Sequence, residues 1–403
     1  MRRVALLVAV LAGCGLTEPA TTGEVHVQVQ GTVTAAVDGA PITRAKVAAS
    51  KMSWESGSLL DATYSDTQGH YSLSFVVTGP CLETLFTIMA SCEEYQALRY
   101  TKLFRDAETP YIRCTDEIQT IDFQLEPSWK SEDFFGVWGT SSSDVYVVGN
   151  GGVILHYDGT EWSDMTSGTS VLLNGVWGTS SSDVYVVGGR STILHYDGTE
   201  WTEMTSGTTA SLSAVWGTSS SDVYAVGSEG VILHHDATGW GDMTSGTNVS
   251  LNGVWGASSS DVYAVGYSGT VLHYDGTEWI EMTSGTTESL LAVWGTSSSD
   301  VYAVGFAGTI VRYDGTAWSE LTSGTSVQLR AVWGSSPSDV YAVGLWNTIL
   351  HYDGTGWSAM TSGTTARLLD GLSGVWGTSS SDVYAVGRHG TILHYDGTGW
   401  REQ

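Results

Sequence analysis

Short apolar stretches recur at a fixed interval along the C-terminal two thirds of the chain. From Phe134 onward each repeat has a stretch ending in Val-Trp-Gly, then one close to Asp-Val-Tyr-Ala-Val-Gly and one close to Thr-Ile-Leu-His-Tyr-Asp-Gly, and a last stretch that begins with tryptophan. Turns rich in Ser, Gly and Asp separate the four stretches, and no helical period is present. The pattern predicts four short β-strands per repeat.

The spacing of the repeats predicts the fold. The tryptophan of Val-Trp-Gly stands at Trp138, Trp177, Trp216, Trp255, Trp294, Trp333 and Trp376. The step is 39 residues five times and then 43, with the extra residues near 369–373. Four strands in about 40 residues are typical of a propeller blade. The sequence therefore predicts an all-β chain in which residues 128–403 form a seven-bladed β-propeller of four-stranded blades.

Two further expectations concern how the blades pack and close. The two tryptophans of each repeat are expected to fill the gaps between neighbouring blades. Because the last repeat stops at Gln403, residues 129–133 are expected to supply or lengthen an edge strand there. The repeats resemble the W-G-x-S-x-S-D-V-Y-A-V-G … H-Y-D-G-x-x-W repeats of secreted bacterial propeller proteins. This resemblance covers residues 134–403 and implies the fold but no ligand.

Residues 24–127 have a different texture that also indicates strands. Residues 24–30 alternate between apolar and polar with period two. The Gly-Thr-Val at 31–33, the turn at 38–41 and the Asp-Thr-Gln-Gly-His-Tyr at 66–71 resemble the carboxypeptidase regulatory-like β-sandwich. The resemblance implies a small β-sandwich that serves as a spacer or adhesion domain and carries no catalytic residues.

The first fourteen residues have the pattern of a targeting segment. Two arginines precede an apolar run at 4–11, which is too short to span a bilayer. Leu11-Ala12-Gly13-Cys14 resembles the bacterial lipobox, which implies that residues 1–14 are a signal peptide ending at a lipidated Cys14. Residues 15–23 would be a tether. An ordinary signal peptide is the alternative, and Gly15 after the cysteine favours the outer membrane of the bacterial cell envelope.

Three cysteines remain after Cys14. They are Cys81, Cys92 and Cys114. An exported compartment is oxidising, so one disulfide and one leftover thiol are expected, with three pairings open. Their spacing fits no metal motif.

The charge of the chain excludes one class of partner. With 43 acidic residues against 16 lysines and arginines, the formal net charge is −27. Such a field repels nucleic acid. No nucleic acid is therefore expected as a partner, and the chain is expected to be a monomer that contacts the bilayer only through an acylated Cys14.

Histidines and aspartates recur at fixed places in the repeats. The predicted third strand carries His156, His195, His234, His273, Arg312, His351 and His394. Histidines on different blades cannot converge within about 2.0–2.1 Å of one zinc ion, so local hydrogen bonds are expected instead. Asp144 and its equivalents close the Ser-rich turns, and Asp158 and its equivalents begin the Asp-Gly turns. Both sets are expected to accept backbone N–H bonds; one calcium ion per blade is the alternative.

Catalysis finds little support. Residues 158–162 loosely resemble the Asp-box of sialidase-type propellers, but the Asp and Trp are one residue closer, and residues 134–403 contain only six arginines. No Gly-x-Ser-x-Gly, phosphate loop or His-Glu-x-x-His occurs. We therefore expect no enzymatic activity, no cofactor and no metal.

The repeats differ mainly at the turn between the second and third strands. Its two central residues are Asn150-Gly151, Gly189-Arg190, Ser228-Glu229, Tyr267-Ser268, Phe306-Ala307, Leu345-Trp346 and Arg388-His389. The next residue is Gly in five repeats, Ser191 in one and Asn347 in one, which indicates a positive φ. A second variable position, expected just before the first strand, holds Asn174, Ser213, Asn252, Leu291, Arg330 and Ser373. Both are expected on one face of the disc.

The residue types at these positions favour a binding face. Aromatic residues and arginine are enriched at binding hot spots, and exposed apolar patches usually mark contact surfaces. The predicted ligand-binding residues are Tyr267, Phe306, Leu345, Trp346, Arg388, His389, Arg190 and Arg330. The predicted function is a membrane-anchored extracytoplasmic binding protein for a protein or glycan ligand. A structural envelope component, a glycoside-active enzyme and neutral drift of the turns are the alternatives.

Overall fold

The chain divides into two compact units, residues 1–131 and 132–403. The structure, a computed structural model, describes residues 132–236, 238–363 and 371–403 of the second unit. In the first unit it describes residues 8–11, 24–35, 46–52, 58–64, 68, 70–78, 85–91, 119–120, 123–125 and 129. All four cysteines lie outside the described residues. No helix in the described ranges is long and apolar enough to cross a membrane.

The described part of the first unit consists of strands in two sheets. One sheet has the order Val8–Leu11, Leu85–Ser91, Lys46–Met52 and Ser58–Tyr64. In the other, Glu24–Ala35 pairs with His70–Thr78 on one side and with Gln119–Thr120 and Phe123–Leu125 on the other. Strands therefore lie at the period-two stretch around residues 24–30. Val8–Leu11, inside the predicted signal peptide, is an edge strand, so the other three strands of its sheet pair without it.

The second unit is a seven-bladed β-propeller, as predicted. We number the blades 1 to 7 in chain order. Blade 1 has strands Phe134–Ser141, Asp144–Gly149, Ile154–Tyr157 and Trp162–Met165; blade 2 Leu173–Ser180, Asp183–Gly188, Ile193–Tyr196 and Trp201–Glu203; blade 3 Leu212–Ser219, Asp222–Gly227, Ile232–Asp236 and Gly239–Met243; blade 4 Leu251–Ser258, Asp261–Gly266, Val271–Tyr274 and Trp279–Met282; blade 5 Leu290–Ser297, Asp300–Gly305, Ile310–Tyr313 and Trp318–Leu321; blade 6 Leu329–Ser336, Asp339–Gly344, Ile349–Tyr352 and Trp357–Met360; and blade 7 Leu372–Ser379, Asp382–Gly387, Ile392–Tyr395 and Trp400–Glu402.

Each blade is one antiparallel sheet whose four strands follow sequence order. The first strands of consecutive blades contact one another, and the first strand of blade 7 contacts that of blade 1, so the ring is closed around the first strands. The second strands are buried along almost their whole length because neighbouring blades cover both of their faces. Val and Ile suit such strands, since β-branched side chains pack well on a pleated surface.

The expected closing strand is absent from the described ring, and this prediction was wrong. The fourth strand of blade 7 is the chain's own Trp400–Glu402, which pairs with Ile392–Tyr395. The last repeat therefore supplies its own fourth strand, and Glu132 and Asp133 are not part of a strand. Instead, the backbone carbonyl of Glu132 accepts the N–H of Gly390 at 2.7 Å, and the backbone carbonyl of Asp133 accepts the N–H of Asn150 at 2.8 Å. These two residues therefore join the second-to-third turns of blades 7 and 1.

The Val-Trp-Gly motif packs each first strand on the next. A Cβ atom built on Gly217 would lie 2.8 Å from Cη2 of Trp177 in the preceding blade. The same relation holds at ring closure, between Gly139 and Trp376. The second tryptophan of a repeat also crosses to a neighbouring blade, as where Trp279 meets the ring of Tyr224 edge-on at 6.4 Å. The prediction that tryptophans fill the gaps between blades is confirmed.

Replacing Gly217 with alanine tests this packing. We expect Gly217→Ala to lower the free energy of unfolding by about 1–3 kcal/mol, because the added methyl group would lie 2.5 Å from the carbonyl oxygen of Asp222 and 2.8 Å from the indole of Trp177. Gly356→Ala is the matched control, since a Cβ there meets nothing within 4 Å, and we expect a change within about 0.5 kcal/mol. Chemical denaturation of both variants measures the difference. Equal stabilities would contradict the packing role of the glycine.

Candidate functional site

The two ends of each blade carry different kinds of turn. In blade 1, Gly149 at the end of the second strand pairs with Phe134 at the start of the first. At the opposite end, Ser141 pairs with Asp144 and Tyr157 pairs with Trp162. The second-to-third turns and the starts of the first strands therefore share one face, which we call the variable face. The Ser-rich and Asp-Gly turns share the other, which we call the uniform face. The predicted separation is confirmed.

The aspartates of the Asp-Gly turns are used within their own turns. Asp158 Oδ1 accepts the backbone N–H groups of Thr160 at 2.8 Å and Glu161 at 3.0 Å, as predicted. The hydroxyl of Thr160, followed by these N–H groups, lowers the pKa of Asp158 to about 2. The N–H two residues on is bound in the same way by Asp197, Asp236, Asp275, Asp314, Asp353 and Asp396.

The third-strand histidines make local contacts, also as predicted. His156 Nε2 lies 2.7 Å from Asp144 Oδ1, and the same pair occurs in the five other blades that have histidine. In blade 5, Arg312 replaces the histidine and binds Asp300 at 2.6 Å. Among the residues that the structure describes, no group of three or more His, Cys, Asp or Glu is placed to hold a metal ion.

The partner of the Ser-rich turn aspartates was predicted wrongly. The other carboxylate oxygen of Asp144 accepts a hydrogen bond from the hydroxyl of Thr140, four residues earlier, and not from the backbone of the turn. Within the turn, the N–H of Ser143 is bound by the hydroxyl of Ser141 at 3.3 Å. The short serine reaches this N–H, which leaves the carboxylate free to bind the histidine.

Sequence reasoning assigned no role to the tyrosine of Asp-Val-Tyr, although every repeat has it. Tyr185 donates its hydroxyl proton to the carbonyl of Ser220 in the next blade at 2.9 Å, and its ring lies 4.5 Å from His195. Burial, and then the charge of Asp183, raise the pKa of Tyr185 to about 12. Equivalent bonds leave Tyr146, Tyr224, Tyr263, Tyr302, Tyr341 and Tyr384. The described side chains of the uniform face thus hold the ring together.

Two consecutive residues of each variable turn have left-handed backbone. The positive φ predicted at Gly152, Ser191, Gly230, Gly269, Gly308, Asn347 and Gly390 is confirmed. The residue before each of them is left-handed as well, and in six blades it is not glycine: Arg190, Glu229, Ser268, Ala307, Trp346 and His389. The sequence signal for this position was weak because its residues do not resemble the Gly or Asn that usually mark such a conformation.

Three of the predicted aromatic contact residues are exposed at these tips. Tyr267, Phe306 and Trp346 are 46%, 38% and 58% exposed, on blades 4, 5 and 6. Leu345 differs from the prediction, because it is only half-buried and its backbone bridges to Gly371. That bridge draws its side chain inward. The variable face therefore presents large apolar side chains on three consecutive blades.

The second variable position lies inside the first strand and not before it. Asn174 is the second residue of Leu173–Ser180, at a β-bulge between Leu173 and Gly175. Its amide donates to the carbonyl of Leu212 in the next blade at 2.8 Å. The bulge turns this side chain sideways along the ring, which a pattern of alternating residues does not reveal. Asn174, and Asn252 in the same way, therefore link adjacent first strands on the variable face.

Arg330 and Arg388 come together at the join of blades 6 and 7. Arg330 Nη1 lies 3.2 Å from the Ser373 hydroxyl and 3.6 Å from a Cβ built on Gly371. The backbone N–H of Arg388 donates to the carbonyl of the same Gly371 at 3.2 Å. Burial, and then the positive charge of Arg388, lower the pKa of Arg330, while the charge of Asp133 acts in the opposite direction.

The remaining predicted residues lie apart from this pair or beside it. Arg190 is exposed on the tip of blade 2. His389 is exposed on blade 7, and its backbone N–H donates to the Asp133 carboxylate at 3.1 Å. Tyr267 adjoins an open polar depression of about 690 Å³ between blades 4 and 5, whose lining includes Ser268, Glu281 and Glu320.

Comparison with known proteins supports the fold. No family model and no curated protein matches the chain. Solved structures do. YCF48 bound to a D1 peptide has a TM-score of 0.55 at 16% identity over 66% of this chain and 93% of that one. YCF48 from Cyanidioschyzon merolae has a TM-score of 0.56 at 14% sequence identity, over 66% of this chain and 96% of that one. The WD40 propeller domain of Doa1 has a TM-score of 0.58 at 12% sequence identity, over 68% of this chain and 94% of that one. These likenesses establish the propeller alone.

The left-handed backbone of Trp346 makes a testable prediction. We expect Trp346→Gly to raise the free energy of unfolding by about 1 kcal/mol, because glycine adopts this conformation without steric cost. Tyr267→Gly removes a similarly exposed aromatic side chain from a position whose φ is not positive, so it should not stabilise the fold. Thermal unfolding of the two variants is the measurement. A Trp346→Gly protein less stable than Tyr267→Gly would show that the indole stabilises the free protein.

Proposed function

We propose that this chain is a binding protein whose ligand docks on the variable face of the propeller. The observation that carries the proposal is Trp346, an aromatic side chain held in solvent on left-handed backbone. Such strain costs about 1–2 kcal/mol and is concentrated at functional sites. The equivalent residue is left-handed in every blade, and among these residues Trp346 is the large apolar one, which is 58% exposed.

The contrast between the two faces also supports a binding role. On the uniform face, the described aspartates, histidines and tyrosines are engaged in bonds within or between blades. The tips of the variable face project Tyr267 and Phe306 into solvent from a scaffold that does not depend on them. The solved structure described as YCF48 bound to a D1 peptide is a propeller that holds a protein segment. We propose a protein ligand for this chain by analogy.

We further propose that the protein acts without catalysis, tethered to the cell envelope. The carboxylates that recur in every repeat are used in the Asp-Gly turns and in the pairs with histidine. For the tether, the lipobox-like residues ending at Cys14 are the support. Removal of a signal peptide would take away only an edge strand, Val8–Leu11, and would leave its sheet of three strands paired.

A variant without the exposed aromatic side chains tests the binding face. We expect the combined change Tyr267→Ser, Phe306→Ser and Trp346→Ser to abolish most binding in cross-linking of the full chain on the cell surface, because it removes the apolar contact area. A variant with Ser142, Ser181 and Ser259 changed to Ala on the uniform face is the control and should bind as before. A glycan array probed in parallel distinguishes a sugar ligand. Equal binding by both variants would refute the proposed face.

Substitution of Cys14 tests the tether. We expect Cys14→Ala to move the protein from the membrane fraction to the soluble fraction and to end its labelling by a radioactive fatty acid. The reason is that stable anchoring requires covalent acyl chains when no spanning helix is available. Cys81→Ala should remain in the membrane fraction and serves as the control. A Cys14→Ala protein that stays on the membrane would argue for another mode of attachment.

A further inference from the structure

We infer that the ligand of the variable face is an acidic peptide segment, whose carboxylates bind the guanidinium groups of Arg330 and Arg388. The inference rests on the proposed function and specifies its ligand. The site lies where blades 6 and 7 join. Gly371 is its centre, since Arg330 packs against this residue, Arg388 donates to its carbonyl and Leu345 bridges to it. With no side chain, Gly371 leaves room for Arg330 beside it.

The site has more positive than negative charge among its described side chains. The described charges that act on Arg330 are those of Arg388 and of one carboxylate, Asp133, which already accepts the backbone N–H of His389. Arg330 donates to a neutral hydroxyl, Ser373. The Nε atom of Arg388 is buried and makes no hydrogen bond to the part of the chain that the structure describes. A buried charged donor gains considerably from a partner, and a carboxylate fits the planar fork of arginine.

The rest of the propeller makes this positive spot exceptional. Residues 134–403 contain six arginines and no lysine, in a chain with a net charge of −27. The fourth strand carries an outer acidic residue in six blades: Asp164, Glu203, Asp242, Glu281, Glu320 and Glu402. Blade 6 has Ala359 there. These outer acidic residues are therefore expected to repel an anionic segment, and blade 6 lacks that repulsion.

The described acidic residues of blade 6 are already bound within the fold. Between residues 329 and 363 its acidic residues are Asp339, which binds His351 at 2.7 Å, and Asp353, which binds the N–H of Thr355 at 2.8 Å. Each of these carboxylates is already used by the fold. Among the described residues of blade 6, no carboxylate is therefore left to pair with the two arginines.

The side chains around the arginines favour a peptide over an anionic sugar. Leu345 and Trp346 on blade 6 and Phe306 on blade 5 offer apolar contact area with a single polar atom, the indole N–H. Sugar hydroxyls need several polar partners, whereas the side chains of a peptide can cover such a surface. A peptide that alternates acidic and apolar residues can satisfy both parts of the site.

Selection from a displayed library of random short peptides, with the full chain as bait, tests the inference. We expect the enriched peptides to carry an excess of Asp and Glu beside apolar residues. Replacing their acids with Asn and Gln should weaken binding at least about tenfold, and added salt should weaken it as well. Fluorescence polarisation with the synthetic peptides measures both effects.

Substitutions in the protein complete the test. Arg330→Gln and Arg388→Gln should each raise the Kd for the selected peptide about tenfold or more. Arg401→Gln removes the same charge from an exposed outer-strand residue paired with Asp396, and it should change the Kd less than about twofold. Thermal unfolding of both Gln variants shows whether a rise in Kd comes from the lost guanidinium group or from loss of the fold.

The outcomes separate this inference from the proposed function. Peptides without excess acid, or bound equally by the Arg330→Gln and Arg388→Gln proteins, overturn the inference. So does failure to select any peptide, including the case in which oligogalacturonate, an acidic sugar probe, binds instead. In each case the proposed function still stands if the triple aromatic variant loses its cross-linked partner on cells. If that variant also binds normally, both fail.

Discussion

Each blade is bound to the next through the tyrosine of its second strand. The phenol rings are buried between blades and lie against the histidine of their own third strand, or against Arg312 in blade 5. Each hydroxyl donates to a carbonyl in the Ser-rich turn of the following blade. The last of these bonds, from Tyr384 to Ser142, joins blade 7 to blade 1 and closes the ring. A phenol in this place needs its hydrogen bond, since a buried hydroxyl without a partner costs about 1–3 kcal/mol. In blade 1, Thr140 binds Asp144, Asp144 binds His156, and His156 lies against the ring of Tyr146.

The sequence revealed most of the propeller because its repeated residues are those that make the fold. Seven Val-Trp-Gly motifs, each followed by three more apolar stretches, require four strands and seven blades. Contacts between repeats were harder to foresee. When neighbouring repeats are nearly identical, a bond from Tyr146 to Ser181 looks the same in the sequence as one within a blade. The role of the tyrosine was missed for that reason. The partners of Asp144 lie in its own blade and were missed because a short serine, Ser141, binds the turn N–H in its place.

The candidate site was predicted in part. Tyr267, Phe306 and Trp346 were identified because they stand out against the constant turns, and they are exposed as expected. The closeness of Arg330 and Arg388 could not be read from the chain, because it depends on a β-bulge that turns one side chain along the ring and on Gly371 between them. The left-handed conformation of Trp346 escaped notice for a related reason: the backbone of a turn is inferred from glycine, and here tryptophan occupies the position.

The join between blades 1 and 7 has a mechanical consequence. The packing of Trp376 on Gly139 and the bond from Tyr384 to Ser142 occur here as at the other joins, and Glu132 and Asp133 add hydrogen bonds to the turns of blades 7 and 1. These same two residues are where the polypeptide leaves the ring toward its N-terminal part. Tension on the chain at Glu132 would therefore act first on the hydrogen bonds that Glu132 and Asp133 accept from the two turns. The bond from Tyr384 to Ser142 lies further along the chain and would be loaded only after these hydrogen bonds break.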